Sequence, residues 1–179
     1  MRPLFLAFLL LPGSSCSMFE KKPLSLPPSP PEWRFEKNAI LFRLKADINL
    51  NLYEANSHTL VLCLYQLTDP NALNQMRGDA EGLSKLLECR RFDATVTQAR
   101  RLVANPGQEW TESMDRAEGT KYVAIVAGYY DLNEDKILRL MEIPVVEEKT
   151  PSGVARKPAK LYKDINLGPQ EIQPLRGMR

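Results

Sequence analysis

Ala39-Ile40-Leu41-Phe42-Arg43-Leu44-Lys45-Ala46-Asp47-Ile48-Asn49-Leu50-Asn51-Leu52 is the stretch on which the fold turns. Apolar residues recur at Ile40, Phe42, Leu44, Ala46, Ile48, Leu50 and Leu52, with Arg43, Lys45, Asp47, Asn49 and Asn51 between them. A period of two marks a half-buried strand, one face toward a core and one toward water, so the pattern predicts one long strand over 40–53. After the polar break Glu54-Ala55-Asn56-Ser57-His58, the run Thr59–Leu67 is apolar on both faces and reads as a central strand. The two are expected to pair as an antiparallel hairpin.

Farther along, Asp69-Pro70 is a helix start, with Asp capping free N–H groups and Pro suiting the first turn. Asp79 opens a second short helix whose buried stripe is Leu83, Leu86 and Leu87. This helical insert, about 70–89, interrupts a chain otherwise written in strands. Strand signals resume at Ala94–Thr97, Arg101–Ala104 and Glu109–Met114, with a turn at Asn105-Pro106-Gly107. Tyr122–Tyr130 is a second buried strand; Ile137–Val146, Leu161–Leu167 and Glu171–Leu175 follow, and Glu147–Pro158 reads as a mobile charged loop. Seven or eight strands with one short helical insert predict an all-β, two-sheet sandwich over 39–179.

Toward the N-terminus, Leu4–Leu11 is an unbroken apolar run behind Arg2. As a helix it would extend about 12 Å against a hydrocarbon core of about 30 Å, too short to span. With the small, helix-breaking Pro12-Gly13-Ser14-Ser15 behind it, it is a signal peptide over 1–15, with cleavage between Ser15 and Cys16. A small-residue stretch running into cysteine resembles the lipobox of bacterial lipoproteins, although Gly13 stands where that pattern usually has Leu. The resemblance implies a covalent lipid on Cys16. Ser17, rather than Asp, directs the expectation to the outer membrane. Residues 16–38 form a tether holding Pro23, Pro27, Pro28, Pro30 and Pro31, extended at about 3.1 Å per residue.

Composition sets the remaining bounds. The 179 residues carry 24 Lys+Arg against 22 Asp+Glu, a net charge of +2 that excludes a strongly basic nucleic-acid binder. Three cysteines are too few for a disulfide scaffold. Cys63 and Cys89 either pair in an oxidising compartment or remain buried thiols. The one histidine, His58, has no partners for a zinc site or a Ser-His-Asp triad and reads as a surface turn residue. Asp131, Glu134 and Asp135 fit a hairpin turn rather than a calcium loop. Arg90-Arg91 and Arg100-Arg101 read as solvated faces, and Tyr129-Tyr130 as packing residues. No catalytic residue, metal or cofactor is expected beyond the lipid.

Taken in order, Cys16, the proline tether, Tyr65-Gln66-Leu67-Thr68-Asp69, Asn71-Ala72-Leu73, Pro106-Gly107-Gln108 and Tyr122–Asp131 resemble the type VI secretion outer-membrane lipoproteins, the TssJ/VasD family. That resemblance implies a transthyretin-like sandwich anchored at the periplasmic face of the outer membrane of a Gram-negative bacterium. It also implies a partner, the periplasmic C-terminal region of the IcmF-like (TssM-type) inner-membrane subunit. The family's main contact, the loop between the first two strands, falls on Glu54, Ala55, Asn56, Ser57 and His58, a loop shorter than usual; Leu73 replaces the usual Phe. The rival expectations are a pilotin-like envelope-assembly lipoprotein and a ligand-binding periplasmic sandwich.

Overall fold

In the computed structural model, which describes residues 29–151 and 153–173, the alternating face of the first strand lies inside the molecule as read: Ile40, Phe42 and Leu44 are fully buried. The expected signal peptide, the expected lipidation of Cys16, the tether up to Pro28, and the end of the Glu171–Leu175 reading lie outside the described residues. In chain order the elements are β1 (Glu36–Ala46), β2 (Leu60–Leu67), α1 (Asn71–Met76), α2 (Ala80–Leu86), β3 (Val96–Ala104), β4 (Glu109–Arg116), β5 (Tyr122–Ala127), α3 (Glu134–Ile137), β6 (Leu138–Glu142), β7 (Val145–Thr150), β8 (Gly153–Pro158) and β9 (Leu161–Leu167).

Two sheets, ordered β4-β1-β9 and β3-β2-β5-β6, face each other, and β7 and β8 form a separate two-stranded hairpin. β1 pairs antiparallel with β4 and parallel with β9. β2 pairs antiparallel with β3 and β5. The sandwich is the one expected, but the hairpin between the first two strands is not formed: β1 and β2 belong to opposite sheets. The first strand also ends seven residues earlier than its alternation suggests, at Ala46 rather than Tyr53. Glu147–Pro158 is not a mobile loop but most of the β7–β8 hairpin, held by Arg156–Glu147 and Lys157–Glu148 pairs across the strands at 3.0 and 2.7 Å. Ala94–Thr97 and Arg101–Ala104 fuse into one strand, β3. Among residues 171–173, only Ile172 pairs, through an isolated bridge to Leu167.

The helical insert covers the outer face of the β3-β2-β5-β6 sheet. Along β2 the side chains alternate between the two layers: Leu62, Leu64 and Gln66 point between the sheets, and Cys63 and Tyr65 point under the helices. Tyr65 donates its hydroxyl hydrogen to the Leu86 carbonyl at 2.6 Å and meets Phe92 edge-on at 5.3 Å. Cys63 and Cys89 are joined in a disulfide, with Cα atoms 4.9 Å apart. Closing a loop of 26 residues stabilises the fold by about 3.5 kcal/mol. Asp79 caps α2 by accepting the Gly82 N–H at 2.7 Å, and Asp69 accepts the Asn71 N–H at 2.8 Å.

Gln66 fastens the two sheets at one end of the core. Its amide donates to Gln98 Oε1 at 2.7 Å and to the Asp115 carbonyl at 2.8 Å; its carbonyl oxygen accepts from the Ala117 N–H at 2.9 Å and the Thr120 hydroxyl at 3.1 Å. The Tyr65-Gln66-Leu67-Thr68-Asp69 segment thus has a structural reason for each polar member. Tyr65 holds the insert, Gln66 ties the layers and Asp69 turns the chain into α1.

Candidate partner-docking surface

The connection from β1 to β2, residues 47–59, is built to be rigid. Asp47 ends the strand: its carboxylate accepts the Asn49 N–H at 2.8 Å, and its carbonyl accepts from Leu50 and Gly107 at 3.1 and 3.0 Å. The chain then turns so that Leu50 plugs the end of the sandwich, fully buried, while Ile48 remains 70% exposed. The apolar alternation through Leu52 therefore serves an end cap and not a sheet face.

Tyr53 and Asn56 exchange backbone hydrogen bonds at 3.0 and 2.9 Å around Glu54 and Ala55. Both central residues have left-handed backbones, φ 48° and 62°, the twist that a two-residue hairpin turn requires and that a Cβ makes unfavourable. The loop holds this shape through Leu52 N–H to the Pro169 carbonyl at 2.8 Å, the Ser57 hydroxyl to the Ile48 carbonyl at 3.0 Å, and His58 N–H to the Leu50 carbonyl at 3.0 Å. Buried Asn51 joins it to the segment after β5: its amide donates to the Thr59 carbonyl at 3.1 Å, and its oxygen accepts the Tyr130 N–H at 3.2 Å.

This junction creates an aromatic surface. The rings of Tyr53 and Tyr130 stack with centroids 4.3 Å apart, and His58 meets Tyr130 edge-on at 5.2 Å. Tyr53 is 47% and Tyr130 55% exposed. Beside them a cleft of about 370 Å³ is lined by Tyr53, Tyr129, Tyr130, Asp131, Pro169 and Gln170. Tyr129 is buried and donates to the Gly168 and Glu171 carbonyls at 3.2 and 2.9 Å. Burial pushes its phenol well above the ordinary tyrosine range, so it stays neutral and fixes the floor of the cleft.

The structure places Glu54, Ala55, Asn56 and Ser57 together and exposed at the loop tip, with His58 half-buried beneath them. The wider surface escaped the sequence reading. The apolar patterns extend to Tyr53 and to Tyr130 as the last residues of their strands, and neither residue carries a signal that its strand has already ended. Asp131, Glu134 and Asp135 do not converge: Asp131 pairs with Lys136 at 2.8 Å, Glu134 with Arg77 at 3.1 Å. Arg100, read as solvated, pairs with Glu112 at 2.6 Å, and Arg91 donates to the Thr97 carbonyl. Among the described residues no group of three or more His, Cys, Asp or Glu is arranged to hold a metal.

Comparison with known proteins places this geometry. No curated protein matches the chain by sequence. The family model described as type VI secretion lipoprotein (VasD, EvfM, TssJ) matches residues 38–165. The lipoprotein TssJ1 of the T6SS from Pseudomonas aeruginosa has a similar structure, with TM-score 0.59 and 22% identity, covering 84% of this chain and 100% of that one. Serratia marcescens Lip, described as a membrane-bound component of the type VI secretion system, aligns with TM-score 0.58 and 16% identity over 78% of this chain and 98% of its own. A chain in the structure described as the T6SS protein TssM C-terminal domain from EAEC aligns with TM-score 0.57 and 12% identity, over 77% and 98% of the two chains. These structures share the sandwich fold, and with the sequence match running from β1 into β9 the chain belongs to the type VI secretion lipoprotein family.

Proposed function

We propose that this lipoprotein is held at the periplasmic face of the outer membrane by a lipid on Cys16 and docks the periplasmic C-terminal region of a TssM-type inner-membrane subunit through its 47–59 loop. The observation that carries the reading is the loop itself: thirteen residues pinned by backbone and Asn51 hydrogen bonds, presenting stacked Tyr53 and Tyr130. Exposed, preorganised aromatic side chains supply most of the energy at protein interfaces, because little side-chain entropy is lost when they are covered. Support comes also from the family match and from structural likeness to chains in structures described as a TssM C-terminal domain and a type VI membrane complex. No catalytic step is part of this reading.

The test is calorimetric binding between the mature chain carrying Cys16→Ser and the periplasmic fragment of the TssM-type subunit. Tyr53→Ala and Tyr130→Ala are each expected to weaken binding tenfold or more, about 1.4 kcal/mol. The urea midpoint should move little, since both rings are half in water. Undiminished affinity in both variants refutes the loop as the docking surface.

A further inference from the structure

The residues leading into β1 do not hang free. Trp33 is half-buried against the core, and its carbonyl accepts the Gly119 N–H at 2.7 Å. The Arg34 carbonyl accepts from Arg116 Nη2 at 3.2 Å, and Glu36 pairs with the same guanidinium at 3.0 Å. That guanidinium is only 4% exposed, so the contacts are made largely out of water. Upstream, Ser29 forms a parallel bridge with Ala155 on β8, and Pro31 lies over the hairpin face beside Val145, Glu147 and Arg156.

The sequence at this point is Pro27-Pro28-Ser29-Pro30-Pro31, so Ser29 is the one residue of the five with an amide proton. A strap of this composition can donate a backbone hydrogen bond to β8 only through Ser29, and it presents no outer row of donors for another chain to extend. Because the bridge is parallel, the segment from Ser29 to Pro31 runs in the same direction as β8, from its Gly153 end toward Pro158. The hairpin lies between the end of β6 and the start of β9, at the same pole as the start of β1 and the ends of β2 and β4. The 47–59 loop is at the other pole, at the ends of β1, β5 and β9. The eleven residues of β1 separate the poles by about 36 Å.

We propose that Ser29–Phe35 is a strap that seats the proline tether on the β7–β8 hairpin, so that the chain leaves for the membrane at the pole opposite the docking loop. This rests on the lipid-anchor and docking readings for its purpose, but not for its geometry. The part of the tether ahead of the strap is then Ser17–Pro28, which as polyproline-like coil would reach about 37 Å at about 3.1 Å per residue, against about 50 Å for a tether counted through Glu32.

The experiment uses the full lipidated chain in phosphatidylethanolamine–phosphatidylglycerol vesicles, with no partner present, so its outcome is independent of docking. Ser29→Cys with Ala155→Cys is expected to form an intramolecular cross-link in most molecules on mild oxidation, mapped by mass spectrometry. Glu148→Cys with Ala155→Cys, directly opposed across the hairpin, gauges the oxidation. Cross-linking of that reference pair with positions 29 and 155 left reduced overturns the strap. In parallel, Ser29→Pro is expected to speed hydrogen exchange of the β8 amides tenfold or more, and unchanged exchange also overturns it.

Discussion

Gln66 and Tyr65 are neighbours in sequence that serve opposite faces of one sheet, and each gives a residue-scale test. Gln66→Leu roughly keeps the volume but leaves the Asp115 carbonyl and the Ala117 N–H without their side-chain partner in the core, while the Thr120 hydroxyl keeps only Thr97, at 2.8 Å. A loss of about 3 kcal/mol in urea unfolding is expected, with Gln66→Glu costing as much because a buried carboxylate cannot donate. Burial beneath the helices pushes the Tyr65 phenol up to about 12 from an ordinary value near 10. Its folded form therefore binds the proton more tightly than the unfolded chain does. The associated stability is fully present below pH 10 and falls as pH rises from about 10 to about 12. Urea midpoints measured across that window should decline, and Tyr65→Phe should flatten part of the decline while costing one hydrogen bond at neutral pH. The burial of Tyr65 was legible from a strand apolar on both faces. The four partners of Gln66 were not, since they come from β3, β4 and the turn after β4.

Elements show where a local pattern is ambiguous. The two short helices start where Asp69 and Asp79 place them, because capping is satisfied within three residues and needs no distant partner. Their packing is tight at one point: a Cβ on Gly82 would lie 1.9 Å from the Met76 carbonyl oxygen. Gly82→Ala is accordingly expected to destabilise the domain by about 2 kcal/mol by forcing α1 and α2 apart, read as a lower thermal midpoint with an intact sandwich by circular dichroism. The end of β1 at Ala46 is hidden in the sequence for a reason that applies generally. Alternation through Ile48, Leu50 and Leu52 satisfies a strand pattern, but Asp47 can turn the chain with its own side chain, and Leu50 is then buried as a plug. No periodicity marks the β7–β8 segment, because nearly all its described side chains face water; its strands are held by cross-strand charge pairs and backbone bonds.

For the molecule as a whole, the sandwich sets the Ser29–Phe35 segment at one pole and the aromatic loop at the other. Under the proposed function, anchoring it beneath a membrane would raise its local concentration for a partner reaching across the envelope. The mature Cys16→Ser chain is expected to fold and bind the TssM-type fragment in solution, yet to leave the membrane fraction and abolish type VI secretion in cells. Secretion at wild-type level in that variant would remove the anchor from the mechanism. The strand-rich class and the core residues Ile40, Phe42, Leu44 and Ile125 are readable from order and alternation, since short-range periodicity and local steric limits suffice to specify them. Which sheet each strand joins, where β1 stops, and the meeting of Tyr53 with Tyr130 follow only from the folded arrangement. Those depend on contacts between residues dozens of positions apart, and a period of two carries no information about which partner lies across the ladder.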